Sequence, residues 1–124
     1  LAFGRNFNQP IQRAAWPATL RELKFGRKFN RSIDGLVWPA SLKKLEFGHD
    51  FDRPIKKTMW PAALQRVVFG DNFNQAIDHV RWPTGLEEIT FGHGFDHPIG
   101  NVDWPIALVR LTFGACFDQP LEEV

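Results

Sequence analysis

The sequence predicts a mainly β solenoid of about five and a half coils, with short parallel strands and little or no α-helix. Three observations predict it. A Phe-Gly pair returns every 22 residues, at Phe3, Phe25, Phe47, Phe69, Phe91 and Phe113. A second Phe follows four residues later each time, from Phe7 through Phe29, Phe51, Phe73 and Phe95 to Phe117. Trp-Pro recurs with the same period at Trp16, Trp38, Trp60, Trp82 and Trp104. A fixed period of this length marks stacked structural units that bury one continuous core between them.

Each element of the coil follows from its residues. Leu23-Lys24-Phe25 and its counterparts set two large apolar residues at a spacing of two, the pattern of a short half-buried strand. Strands are expected to centre on Ala2, Lys24, Glu46, Val68, Thr90 and Thr112 and to pair in one parallel sheet. The following glycine ends the strand, where the backbone needs positive φ or close packing. The Asn or Asp after the second Phe (Asn8, Asn30, Asp52, Asn74, Asp96, Asp118) is expected to bond the backbone two residues on and turn the chain. Pro10, Pro54, Pro98 and Pro120 exclude a helix through the next segment. Trp-Pro makes a second corner, because the residue before proline is pushed toward extended geometry. Pro-x-x-Leu has room for one tight turn.

The spacing never slips, so the reading is one repeat domain over residues 1–124. Its coils are 1–19 (partial), 20–41, 42–63, 64–85, 86–107 and 108–124 (partial), a window on a longer array without the usual polar caps. No stretch is long and apolar enough for a membrane-spanning helix. The one cysteine, Cys116, excludes an internal disulfide and leaves the redox compartment open. Asn30-Arg31-Ser32 forms a glycosylation sequon, but it occurs in one coil, where Ser32 simply replaces the usual proline.

The string Phe3-Gly4-Arg5-Asn6-Phe7-Asn8-Gln9-Pro10-Ile11, followed by Trp16-Pro17-Ala18-Thr19-Leu20, resembles the FNIP repeat, a relative of the leucine-rich repeat. The resemblance runs along the whole chain. Two departures stand out: Trp where the family commonly has Leu before the second Pro, and Asp at half of the Asn positions. The resemblance implies a curved, leucine-rich-repeat-like solenoid used as an interaction surface, and it transfers no catalytic residues.

Candidate chemistry is sparse. The Asn/Asp column is half neutral amides, which suits repeated corner formation better than calcium ligation. His49 and His93 share a column two coils apart, about 10 Å at ladder spacing, too far for one zinc. His93, His97 and Asp71 form a conceivable surface group that occurs once. Cys116 stands in a polar column with no base placed to activate it. No cofactor is called for. The Phe rows read as core. The Trp row reads as a half-buried corner whose indole N–H seeks a partner, and a solvent-lined version would suit carbohydrate stacking through Trp60 and Trp82.

The reading of function is therefore a non-enzymatic scaffold for protein–protein interaction. Its partner contacts are placed on the outward strand positions Glu22, Lys24, Lys44, Glu46, Arg66, Glu88 and Arg110. The invariant residues build the core, while these outward positions vary from coil to coil. Charge supplies an alternative. Residues 1–66 hold thirteen Lys/Arg and five Asp/Glu, a net +8, whereas residues 67–124 hold two and nine, a net −7. This separation along the solenoid axis suggests head-to-tail association into fibres, a contact that need not close. Its rival is a polyanion on the basic half, with nucleic acid disfavoured.

Overall fold

The computed structural model describes residues 1–120 of the chain, so the last four residues of the expected sixth coil lie outside the described residues. Five short strands appear in chain order: β1 (Glu22–Lys24), β2 (Lys44–Glu46), β3 (Arg66–Val68), β4 (Glu88–Thr90) and β5 (Arg110–Thr112). They form one parallel sheet in the order β1-β2-β3-β4-β5. Every pairing is offset by one repeat, Leu23 beside Leu45, Leu45 beside Val67, Val67 beside Ile89 and Ile89 beside Leu111. No helix occurs among the described residues. The architecture is a β-solenoid of the leucine-rich-repeat kind.

The strands sit one residue earlier than expected. They centre on Leu23, Leu45, Val67, Ile89 and Leu111, and Ala2 contributes only an isolated parallel bridge to Lys24. The reason lies in how the ladder starts. Lys43 and Lys44 both donate their N–H to the carbonyl of Arg21, at 2.8 and 3.0 Å, so pairing begins as soon as the preceding turn closes. At the other end the last rung runs from Phe47 N–H to the Val68 carbonyl at 2.8 Å, and backbone bonds between coils resume beyond the glycine column, as from Asp50 N–H to Arg27 O at 2.9 Å.

Those glycines answer a question of space. A Cβ on Gly48 would collide with the carbonyl oxygen of Gly26, and Gly26, Gly70, Gly92 and Gly114 meet the same obstacle one coil back. Positive φ occurs instead at Gly35 (67°) and His79 (65°), in a different turn. The glycine lets neighbouring coils approach where a side chain would wedge them apart.

Three turns close each coil, not two. In the second coil Phe29 N–H bonds to Gly26 O, Leu36 N–H to Ile33 O, and Leu42 N–H to Pro39 O. The middle turn, Ile33–Leu36, is the one the sequence reading passed over. Its last column holds Ala14, Leu36, Thr58, Val80 and Val102, and Leu36, Thr58 and Val80 are buried. Side chains of such mixed type hide the periodicity that Phe and Trp display.

Phe, Leu, Ile and Trp columns fill the interior as continuous rows. Phe25 stacks on Phe3 and Phe47 with ring centroids at 5.2 and 5.5 Å, and on Phe29 in its own coil at 4.2 Å. Offset aromatic stacking of this kind adds about 0.5–1.5 kcal/mol per pair beyond area burial. In the inner coils the Trp row corrects the expectation of a half-buried corner, and the solvent-lined alternative with it, while Trp16 and Trp104 are half-buried. Trp60 and Trp82 are only 9% and 8% exposed, and they stack on each other at 5.6 Å. Trp82 also meets Phe69 edge-on at 6.4 Å. These rings close a third wall of the core, and their indole N–H groups are buried without a hydrogen-bond partner. A sugar has no Trp face to stack on in these coils.

Candidate interaction surface

Alternation along each strand sends Leu23 inward and Glu22 and Lys24 outward, and the parallel register repeats that choice in every coil. All seven outward positions singled out from the sequence lie on the strands: Glu22 and Lys24 on β1, Lys44 and Glu46 on β2, Arg66 on β3, Glu88 on β4 and Arg110 on β5. The sheet brings them side by side on one face. Arg66 Nε lies 2.8 Å from Glu88 Oε2, and Lys24 Nζ lies 4.0 Å from Glu46 Oε1. Glu22 faces Lys44, and Glu88 faces Arg110, in register. Lys44 beside Arg66 is a like-charge neighbour pair.

The face extends one column further than the sequence reading placed it. Arg21, Lys43, Gln65 and Glu87 precede the strands and join Glu22, Lys44, Arg66 and Glu88 around a groove of about 300 Å³. Their position directly before an outward strand residue was the available signal. The groove is polar and shallow, and it runs from basic side chains at Arg21, Lys43 and Lys44 to acidic ones at Glu87 and Glu88.

A second ordered surface lies beyond the glycine turn. The Asn/Asp column does not bond two residues on, as the sequence suggested. Each Oδ1 accepts the backbone N–H of its counterpart one coil later. Asn8 accepts from Asn30 at 2.9 Å, Asn30 from Asp52 at 2.9 Å, and Asp52 from Asn74 at 3.0 Å. Asn74 accepts from Asp96 and Asp96 from Asp118, each at 2.9 Å. A parallel ladder thus continues through side chains where the backbone no longer pairs.

The next column locks onto the same rungs, and its residue types follow a rule. Where the rung is Asn, the residue 23 positions on is Arg or His and reaches the rung's main-chain oxygen. Arg31 to Asn8, Arg53 to Asn30 and His97 to Asn74 are all at 3.0 Å. Where the rung is Asp, that residue is Gln and reaches the carboxylate, Gln75 to Asp52 at 2.8 Å and Gln119 to Asp96 at 2.9 Å. The Gln119 amide, then the Asp118 N–H, hold the Asp96 carboxyl below its ordinary value, with burial opposing and His97 adding a smaller pull. Lys56, 3.0 Å from Asp78, lowers that carboxyl chiefly through its hydrogen bond.

The histidines are used singly. His49 Nδ1 lies 2.7 Å from Asp50 Oδ1, His93 gives its backbone N–H to Asp71 at 3.0 Å, and His97 belongs to the ladder. Among the described residues no three His, Cys, Asp or Glu side chains group to hold a metal ion. Cys116 is exposed. No helix among the described residues is long and apolar enough to cross a membrane.

Comparison with known proteins agrees with this geometry. No curated protein matches the chain. The solved structure described as CroV588, a novel circular leucine-rich-repeat protein, superposes with a TM-score of 0.81 and 37% identity over 96% of this chain. The chain spans 21% of the length of that protein. The family description FNIP Repeat matches residues 1–28, 29–67 and 51–94. Those matches cover most of the chain and contain the Phe-Gly turns, Asn/Asp rungs and Pro-x-x-Leu corners that build the coils, so the chain belongs to the FNIP repeat family.

Proposed function

We propose that the chain is a non-catalytic scaffold that binds a protein partner across its strand face. The observation that carries this reading is the sheet itself. Five strands in one register hold Glu22, Lys24, Lys44, Glu46, Arg66, Glu88 and Arg110 on a continuous surface that no other part of the described chain covers. Enzymes gather a few unlike groups in one concave, partly desolvated place. Here the unlike groups are spread along a shallow groove, and the invariant residues are spent on the core. A graded surface of this kind suits recognition by many small contacts. The likeness to one arc of a circular leucine-rich-repeat protein supports the same reading, with this chain as a curved segment whose strand face is offered for contact.

The test is a paired comparison. Proteins retained by the immobilised chain are compared with those retained by a Lys44→Ala/Arg66→Ala/Glu88→Ala variant, whose changed side chains point away from the core. The reading expects at least one partner to bind the wild-type chain with a saturable isotherm and to lose tenfold or more in affinity for the variant. A partner set bound equally by both proteins sinks it.

A further inference from the structure

The wall between the glycine turn and the isoleucine turn carries the charge separation in its most concentrated form. In the first three coils it presents two carboxylates, Asp50 and Asp52, and five exposed cations, Arg5, Arg27, Lys28, Arg31 and Arg53. None of these cations lies within 4.0 Å of a carboxylate among the described residues. Arg31 and Arg53 are also pre-ordered, because each Nε is tied to a main-chain oxygen one coil back at 3.0 Å. That leaves the outer edge of each guanidinium fork held in place and unused. In the later coils the same wall has no Lys or Arg through residue 120 and presents Asp71, Asp96 and Asp118 instead. None of these three takes part in an ion pair among the described residues.

We propose that two copies of this chain pair side by side and antiparallel through this wall. A two-fold axis passing between the third and fourth coils sets the basic coils of one copy against the acidic coils of the other. It brings Arg31, in the second coil, opposite Asp96 in the fifth, and it sets Arg27, in the second coil, one coil along from Asp71 in the fourth at the same position of the repeat, each pair occurring twice. A contact of this type is isologous and closes at two copies.

Other occupants fit less well. A uniform polyanion is drawn to the first three coils and repelled by the next three. Every Phe and Trp in the described chain is buried or half-buried, so a nucleic acid finds no exposed ring on which to stack its bases. End-on association brings together only terminal coils and leaves the charges of the middle coils apart. The dipolar wall matches its own reverse. This inference does not depend on a partner at the strand face, and either can fail alone.

Sedimentation at about 0.5 mM protein tests it, in about 20 mM and about 500 mM salt, where the Debye length falls from roughly 20 Å to under 5 Å. The expected result is a dimer at low salt whose association weakens at least tenfold at high salt. Arg27→Glu/Arg31→Glu and Asp71→Lys/Asp96→Lys are each expected to be monomeric at low salt, and an equimolar mixture of the two to recover dimers. The first variant alters only exposed side chains, so its result stands even if the second, which removes the acceptors of the His93 and Asp118 N–H groups, loses its fold. A wild-type monomer at low salt overturns the proposal. So do assemblies that grow beyond two copies, or a folded Arg27→Glu/Arg31→Glu variant that dimerises as well as the wild-type chain.

Discussion

Gln75 donates from Nε2 to the Oδ1 of Asp52 at 2.8 Å, one coil back, and Gln119 repeats the contact with Asp96 at 2.9 Å. Each of those oxygens also accepts a backbone N–H, so both side chains join two coils, and at Asp96 these contacts favour the carboxylate form.

The pH dependence of stability follows from Asp96, whose folded pKa lies below its ordinary value. A depressed folded pKa gives stability that is present above the unfolded carboxylate value and is lost as pH falls through the folded one. The Asp96 contribution is therefore expected to be fully present above about pH 5 and to decline below about pH 4. Asp96→Asn keeps an acceptor oxygen for the Asp118 N–H and removes the titration, so its acid limb is expected to be shallower. Urea midpoints across the pH range check this, and superimposable acid limbs count against it.

Two glycines separate steric need from conformational freedom. Gly48→Ala drives a Cβ into the carbonyl of Gly26 and is expected to cost at least the 1–3 kcal/mol of ordinary overpacking, since backbone cannot move aside as a side chain can. Gly85 has nothing within 4 Å of a built Cβ and no positive φ. Gly85→Ala is expected to stabilise by about 0.4–1 kcal/mol, by restricting the unfolded chain. Chemical denaturation of both variants reads the contrast, and equal effects contradict the close approach of the coils.

Thr58 stands in a column otherwise held by Ala, Leu and Val, and its Oγ1 is buried with no partner. Thr58→Val replaces an unpaired hydroxyl with a methyl of nearly the same shape. The variant is expected to gain about 1 kcal/mol, the cost of a buried polar group left unsatisfied. Thermal melting decides it, and a loss of stability shows that the hydroxyl has a partner after all.

Much of the coil was legible in the sequence because its determinants are large and invariant. Phe25, Phe29, Trp38 and Leu42 repeat without exception, and size plus period is enough to place a core row. Strand pairing in parallel register followed, down to Arg66 beside Glu88. The side-chain ladder was harder to read. Asn30 bonding Asp52 and Asn30 turning its own backbone require the same residue at the same place, and period alone does not separate contacts within a coil from contacts between coils. The matched choice of Gln after Asp and Arg or His after Asn, 23 residues apart, was the signal that distinguishes them. Trp burial was misplaced for a related reason: proline fixes the corner at Trp38 without fixing which side the ring takes.

Equivalent Phe rings step 5.2–5.6 Å from coil to coil in the row that begins at Phe3, and 6.0–6.2 Å in the row that begins at Phe7. The first row directly follows the strands, whose ladder spacing is about 4.8 Å. The coils therefore fan outward from the sheet like the voussoirs of an arch. Each wedge adds the same small turn, so the number of repeats acts as an angular setting. A gene that gains or loses 22 codons changes the bearing of everything beyond that point while leaving each coil-to-coil joint as it was.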